Sequence, residues 1–253
     1  MISSMKNKKH LQSIISVALL IALWQITAQI VGKPVYYPSF TQTISALANL
    51  ALTGSFWITV TVSILRVIGS FAISMLFGMT LAVLCSLIPS VTGFIKTISG
   101  VAKATPVASF IILAMIWFHS SFVPVFVGIL MIAPIVFENT LQGIENIDSQ
   151  ISEMSRVYRI PTGIFIRKIA LPYTKPYLSA AVSLSLGIGF KAVVSAEVLC
   201  QPTIGIGAAI YDSKIYLETP QLFALTLTVI LLSFCFEKMI GNFVRRKGQV
   251  PYS

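Results

Sequence analysis

Charge is scarce in this chain of 253 residues. Asp, Glu, Lys and Arg together make up 10% of it, against 56% hydrophobic residues and a mean hydropathy of +0.87. An ordinary soluble domain carries about 25% charged residues, so water is not the main solvent here. Acids are scarcest, eight against eighteen Lys and Arg. The two histidines, His10 and His119, are separate and solitary, so neither a nucleophile–base pair nor a metal cluster can be assembled from them. Cys85, Cys200 and Cys235 form no CxxC or Cys/His ligand spacing. An odd, scattered set makes no disulfide framework, and these three read as small apolar packing residues. A GxxxxGK[ST] phosphate loop is absent, which removes the usual route to ATP hydrolysis. Gly205-Ile206-Gly207 lacks the strand–helix context of a dinucleotide fingerprint. The net charge of +10 comes without a basic stripe interleaved with aromatics, which excludes a nucleic-acid surface.

What is present comes in long apolar blocks, and about 20 apolar residues cross the hydrocarbon layer as a helix. Six spans are predicted, near Leu11–Val31, Phe56–Ile88, Val101–Phe118, Phe122–Phe137, Tyr177–Leu199 and Gln221–Phe236. The first block lies behind Lys6, Lys8 and Lys9. It is longer than a signal-peptide core and no small-x-small cleavage site follows, so it reads as a retained helix. Pro34 and Pro38 open the next stretch, which continues as a short interfacial helix over Thr41–Leu52. Pro106, Pro124 and Pro134 fall in the third and fourth spans, and proline at membrane depth is tolerated where protein or water satisfies the freed carbonyls. These two helices are therefore expected against protein rather than lipid.

Basic residues fix the direction. With the N-terminus inside, the cytoplasmic segments hold Lys6, Lys8 and Lys9, then Lys96 and Lys103, then Arg156, Arg159, Arg167, Lys168 and Lys175, and finally Lys238, Arg245, Arg246 and Lys247. The outer loops hold only Lys33 and Lys214, and fourteen against two places both termini in the cytoplasm. The chain divides into an N-terminal segment 1–55, a core 56–237 and a basic tail 238–253, with no internal repeat.

One long polar loop, Glu138–Lys175, faces the cytoplasm. Within it Ile147, Ile151, Met154 and Tyr158 recur on one face of a helix, with Gln150, Glu153 and Arg156 on the others. Asp148 or Ser149 can cap its start and Pro161 stops it. A second short helix follows over about Gly163–Ala170 and meets Leu171-Pro172. The mixed charge of Glu153, Arg156 and Arg159 fits a protein groove better than an anionic lipid surface.

This stretch resembles the EAA loop of binding-protein-dependent ABC importer permeases. That motif runs Glu, two small residues, a Gly four further on, and Ile-x-Leu-Pro after nine more. Here Glu153, Met154, Ser155, Arg159, Ile169, Leu171 and Pro172 keep the spacing, with Arg159 at the Gly position. A left-handed arginine costs about 1–2 kcal/mol, which makes Ile160-Pro161 or Gly163 alternative places for the turn. The resemblance extends over about 56–237 and is closest to the nitrate/sulfonate/taurine branch. It is carried further by Ser63-Ile64-Leu65-Arg66, Trp117-Phe118-His119, Pro134, Asn139-Thr140, Gly143, Ala196-Glu197 and Gly205-Ile206-Gly207.

The resemblance implies an all-α, type I ABC importer permease-like fold with about six transmembrane helices, in a bacterial cytoplasmic membrane. It implies no catalytic residue and no cofactor on this chain, ATP and Mg belonging to cytoplasmic ABC ATPase partners. A second permease copy (or a close paralogue) and an extracytoplasmic solute-binding protein complete the expected assembly. Ile151, Glu153, Met154, Ser155, Arg156, Arg159, Ile169, Leu171 and Pro172 are the expected ATPase-coupling residues. The branch serves nitrate, bicarbonate, alkylsulfonates and taurine, while similar chains import pyrimidine or thiamine precursors and riboflavin.

Two cations fall inside predicted spans, where charge costs at least about 2.5–3.5 kcal/mol. Arg66 either snorkels to the outer interface or meets a buried partner. Lys191 lies on a small, polar stripe, Ser179, Ser183, Gly187, Lys191 and Ser195. It is read either as lining the solute path, with Ser183, Gly187, Ser195 and Glu197, and favouring an anion, or as paired with Glu197 or a carbonyl. A second stripe, Ser70, Ser74, Gly78 and Ala82, is a packing seam facing either the core or a second copy. His119 reads as interfacial. An ion-coupled transporter or channel is the alternative class, but such proteins often show inverted repeats and membrane acids, and this chain has neither apart from Glu197.

Overall fold

Residues 2–248 are described by the computed structural model, with side chains placed at Gln12 and from Ile15 to Met239. Among them there is no strand. The helices in chain order are α1 (Ile2–Val31), α2 (Phe40–Ala51), α3 (Gly54–Leu87), α4 (Pro89–Ala104), α5 (Val107–Trp117), α6 (Val123–Glu145), α7 (Ser149–Val157), α8 (Thr162–Phe165), α9 (Leu171–Tyr173), α10 (Lys175–Cys200), α11 (Ile206–Ile215) and α12 (Thr219–Gly248); a π-helical turn, Ile166–Ala170, joins α8 to α9.

Four helices, α3, α6, α10 and residues Thr219–Met239 of α12, are long and apolar enough to cross a membrane. The bent pair α4–α5 is long and apolar enough only when its two helices are taken together, as a broken span or a re-entrant loop, and Ile15–Val31 of α1 is a shorter apolar helix, so four to five spans among the described residues stand against the six expected. The expected third span, Val101–Phe118, is therefore not one helix. The chain turns by 103° between α4 and α5, at Thr105, which is extended at ψ 131°, and Pro106. A residue before proline is driven out of the helical region and proline has no N–H to continue the ladder. Pro134, by contrast, lies inside an unbroken α6. That helix also outruns the predicted Phe137 and ends at Glu145, so the cytoplasmic loop begins eight residues later than its sequence suggested. The expectation that both proline-bearing helices avoid lipid holds for α6, whose Ile132, Pro134 and Val136 are buried. In α5, Ile111 and Ala114 are buried, while Ile112 and Ile116 lie on the surface of the protomer.

The core is α6 gripped between α3 and α10, with α12 closing the far side. The seam of α3 settles toward this core. Ser70, Ser74, Gly78 and Ala82 are all buried, with the Ser70 hydroxyl donating to the Val125 carbonyl at 3.2 Å and Ser74 to Ile129 at 3.4 Å. Small residues let the two backbones close in, and van der Waals contact is what holds membrane helices together. A Cβ on Gly128 would stand 2.6 Å from Ser70 Oγ, and one on Gly78 2.9 Å from the Ala133 carbonyl.

Outside this core the ties are few. α4 lies antiparallel to the lower half of α6, joined by Lys96–Glu145 at 3.0 Å and Lys103–Glu138 at 2.5 Å. Both pairs are half-exposed and contribute about 0–1 kcal/mol each. α1 is held mainly through Trp24, which donates to the Pro38 carbonyl at 3.0 Å and stacks against Phe40 and Phe223. α2 starts in a capping box, Ser39 and Gln42 bonding reciprocally.

Overfilling the α3–α6 seam has a measurable consequence. Gly128→Leu lowers the unfolding midpoint of the detergent-solubilised protein by roughly 2–12 °C, the equivalent of about 1–3 kcal/mol. Gly100→Ala, whose new methyl meets nothing within 4 Å, leaves the midpoint in place.

Candidate functional site

The loop between α6 and α10 carries a short, capped helix, α7. The side chain of Asp148 caps α7 by accepting from the Gln150 amide at 2.8 Å. At the other end the Arg159 amide donates to Arg156 O at 3.1 Å and the Ile160 amide to Ser155 O at 2.9 Å. These two bonds make a Schellman motif, whose left-handed position is usually glycine. Arg159 occupies it, at φ +50°. The turn thus forms at Arg159 and not at Ile160-Pro161 or Gly163, because the two paired bonds offset the steric cost of a side chain there.

The predicted second helix is present but not uniform. Thr162–Phe165 is α-helical and Ile166–Ala170 is a π turn in which the Leu171 amide reaches back to Ile166 O. Pro172 explains the wider turn, since it cannot donate and its ring crowds the carbonyl four residues back. The loop is rooted where Thr174, fully buried, packs on Gly143 of α6. From this root α7 stands clear of the other helices. Ile147 is buried and Ile151 and Ser155 are half-buried. Glu153, Arg156 and Arg159 face solvent, and so do the apolar Met154, Val157 and Tyr158, at 46, 77 and 75% exposure. Ile169 and Leu171 are half-buried and Pro172 exposed.

On α10 the small-residue stripe starts half-buried at Ser179, Ser183 and Gly187 and winds outward until Lys191 and Ser195 are exposed on the protomer surface. Glu197 is not with them. It is turned to the opposite face and is wholly buried.

There Glu197 joins three motif fragments that looked separate in the sequence. Its carboxylate accepts from Arg66 Nη1 at 2.7 Å, from Ser63 Oγ at 2.8 and 2.9 Å, and from the Gly207 amide at 3.0 Å. Arg66 Nη1 also donates to the Ile204 carbonyl at 2.7 Å, and the Ile206 amide donates to Ser63 Oγ at 2.8 Å. Arg66 therefore does not snorkel: its side chain is 11% exposed and ion-paired. Both glycines are needed for the fit, since a Cβ on Gly205 would stand 2.8 Å from Arg66 Nη1 and one on Gly207 2.5 Å from the Val194 carbonyl. No buried side-chain nitrogen or oxygen among the described residues lacks a partner. The knot pins α3, α10 and the start of α11 together. A sequence signal for it existed: Ser63 and Arg66 share a helix face, and Glu197 is the one acid well inside a span.

Comparison with known proteins identifies the family of this all-helical bundle. The model of the family described as "Binding-protein-dependent transport system inner membrane component" matches residues 54–249. The chain belongs to that family. The bicarbonate transport system permease protein CmpB of Synechococcus elongatus is 23% identical over 162 residues, which are 63% of this chain and 58% of that protein, so the chain spans less than two thirds of this relative's length. The taurine transport system permease protein TauC of Escherichia coli is 21% identical over 92% of this chain and 87% of its own. Among solved structures, a chain of a bacterial ABC transporter involved in import of the acidic polysaccharide alginate superimposes with a TM-score of 0.65 at 13% identity, covering 95% of this chain and 98% of that one.

Breaking a buried ion pair from one side costs about 3–5 kcal/mol, whereas replacing both partners by apolar groups is far milder. Glu197→Met and Arg66→Met are each expected to lower the thermal midpoint sharply, and the double variant to lose clearly less than the sum of the two while staying below the parent, because the Gly207 amide and the Ile204 carbonyl still lack partners. Additive losses would show that the two residues act independently. Separately, Arg159→Gly relieves the left-handed arginine, and hydrogen exchange should find the Ile160 amide about fivefold better protected, the equivalent of about 1 kcal/mol.

Proposed function

We propose that this chain is the permease subunit of an ATP-driven importer that carries a small organic or inorganic anion into the cell. The observation that carries the reading is α7: a helix capped at both ends, rooted on α6 and α10, and presenting Met154, Val157 and Tyr158 to solvent. An apolar face of that size on a short polar helix is the ligand half of a helix-in-groove contact. The groove belongs to a cytoplasmic ABC ATPase that holds ATP and Mg, and closure of the ATPase pair pushes on the lever. Because α7 is stiff and its root is packed between α6 and α10, that push reaches the spans that line the solute route.

Two copies of the chain form the pathway, with both termini in the cytoplasm of a bacterial cell as the fourteen-to-two distribution of basic residues dictates. A solute-binding protein delivers to the outer face formed by the loop after α10 and α11. The anionic class is supported by relatives named for bicarbonate and taurine.

The test is affinity purification from native membranes. The permease should bring down an ATP-hydrolysing subunit, and the pair Met154→Asp and Val157→Asp should abolish that association while leaving the thermal midpoint of the permease unchanged. Purification without any ATPase, or an association indifferent to these changes, overturns the assignment.

A further inference from the structure

Lys191 is the one cation of α10 held at membrane depth. It lies 16 residues after Lys175 and nine before Cys200, about 24 Å and 13 Å from the two ends of the helix. A four-carbon stem is shorter than either distance, so the ammonium does not reach either end of the helix. Among the described residues its own subunit offers no countercharge. The ion pairs among the described residues are Arg66–Glu197, Lys96–Glu145 and Lys103–Glu138, and the oxygens of Glu197 are taken by Ser63, Arg66 and Gly207 on the far side of α10. The exposed face around Lys191 is divided. Ser195 and Gly187 stand one turn above and below it, while Leu184, Ile188 and Leu199 are exposed alongside. A helix of this kind borders water on one edge and apolar surroundings on the other.

We infer that Lys191 faces the water-filled solute route and sets its preference for anions. The inference rests on the transport reading above but on different residues from the ones that carry it. An ammonium without a fixed partner stays charged at membrane depth only where water or a mobile anion solvates it. A passing anion supplies the missing charge and a cation is repelled. At a separation of one helical turn, about 6 Å, a unit charge in a water-like medium changes local ion concentration about threefold for each sign, and so discriminates anion from cation about tenfold.

The test needs no knowledge of the solute. In the assembled transporter in native membranes, with the exposed Cys235 replaced by Ser, Ser195→Cys is treated with the anionic sulfonatoethyl and the cationic trimethylammonioethyl methanethiosulfonate reagents. Each rate is divided by that reagent's rate with a free thiol. The expected result is about a tenfold preference for the anionic reagent, falling to about one with Lys191→Met and retained with Lys191→Arg. A lysine beside a thiol also raises its thiolate fraction, but this speeds both reagents alike and cancels in the ratio. Reaction with neither reagent, while a membrane-permeant maleimide labels the site, puts the face in lipid and overturns the inference. A ratio that ignores residue 191 overturns it equally. Absence of a co-purifying ATPase, by contrast, removes the transport reading itself, so the two failures are told apart.

Discussion

The carboxylate of Glu197 is the point on which the half of the molecule around the α10–α11 connection is organised. It brings together a serine and an arginine from α3, the end of α10, and the first amides of α11. In a hydrocarbon setting none of these groups could remain unpaired without a penalty of several kcal/mol, so each makes the others tolerable. The two glycines follow from the same demand, because a Cβ at either would collide with Arg66, Glu197 or the α10 backbone and hold the Ile206 and Gly207 amides away from their acceptors. An ion pair of this kind is a specificity device more than a source of net stability: it defines one register of α3 against α10 and one path for the chain between α10 and α11.

The half that carries α7 is organised on a different principle. There the helices end in polar surroundings, and a short helix is kept apart from the bundle instead of being packed into it. Its caps stiffen it and its root at Gly143 and Thr174 ties it to α6 and α10. The outer end is pinned by buried charge and the inner end projects an apolar face, with α10 common to both. The helix at the root of α7 thus has its far end fixed to α3 and α11.

Much of this was legible in the residues. Hydropathy located the apolar blocks, the small-residue steps of α3 and α10 were visible as periodicities, and Asp148 with the apolar face from Ile147 to Tyr158 placed the short helix α7. What was not legible has physical reasons. The break between α4 and α5 depends on whether a neighbour can satisfy the carbonyls freed by a proline, and Pro106 and Pro134 look alike in one dimension. The placement of Arg159 depends on two backbone bonds that no propensity records. The knot depends on which face of α10 meets α3, and a one-dimensional reading saw that Lys191 and Glu197 were near in sequence without seeing that they point to opposite sides of the helix.

The same knot has a consequence in time. Its two charged members are 131 positions apart, and at about 5–20 residues per second the ribosome needs on the order of ten seconds to make the second after the first. For that interval the nascent protein holds a lone guanidinium in α3, and the insertion machinery must tolerate it until α10 arrives. Completion of the outer half is thus a late event of biosynthesis, and a truncated product leaves a charge in the bilayer that marks it as unfinished.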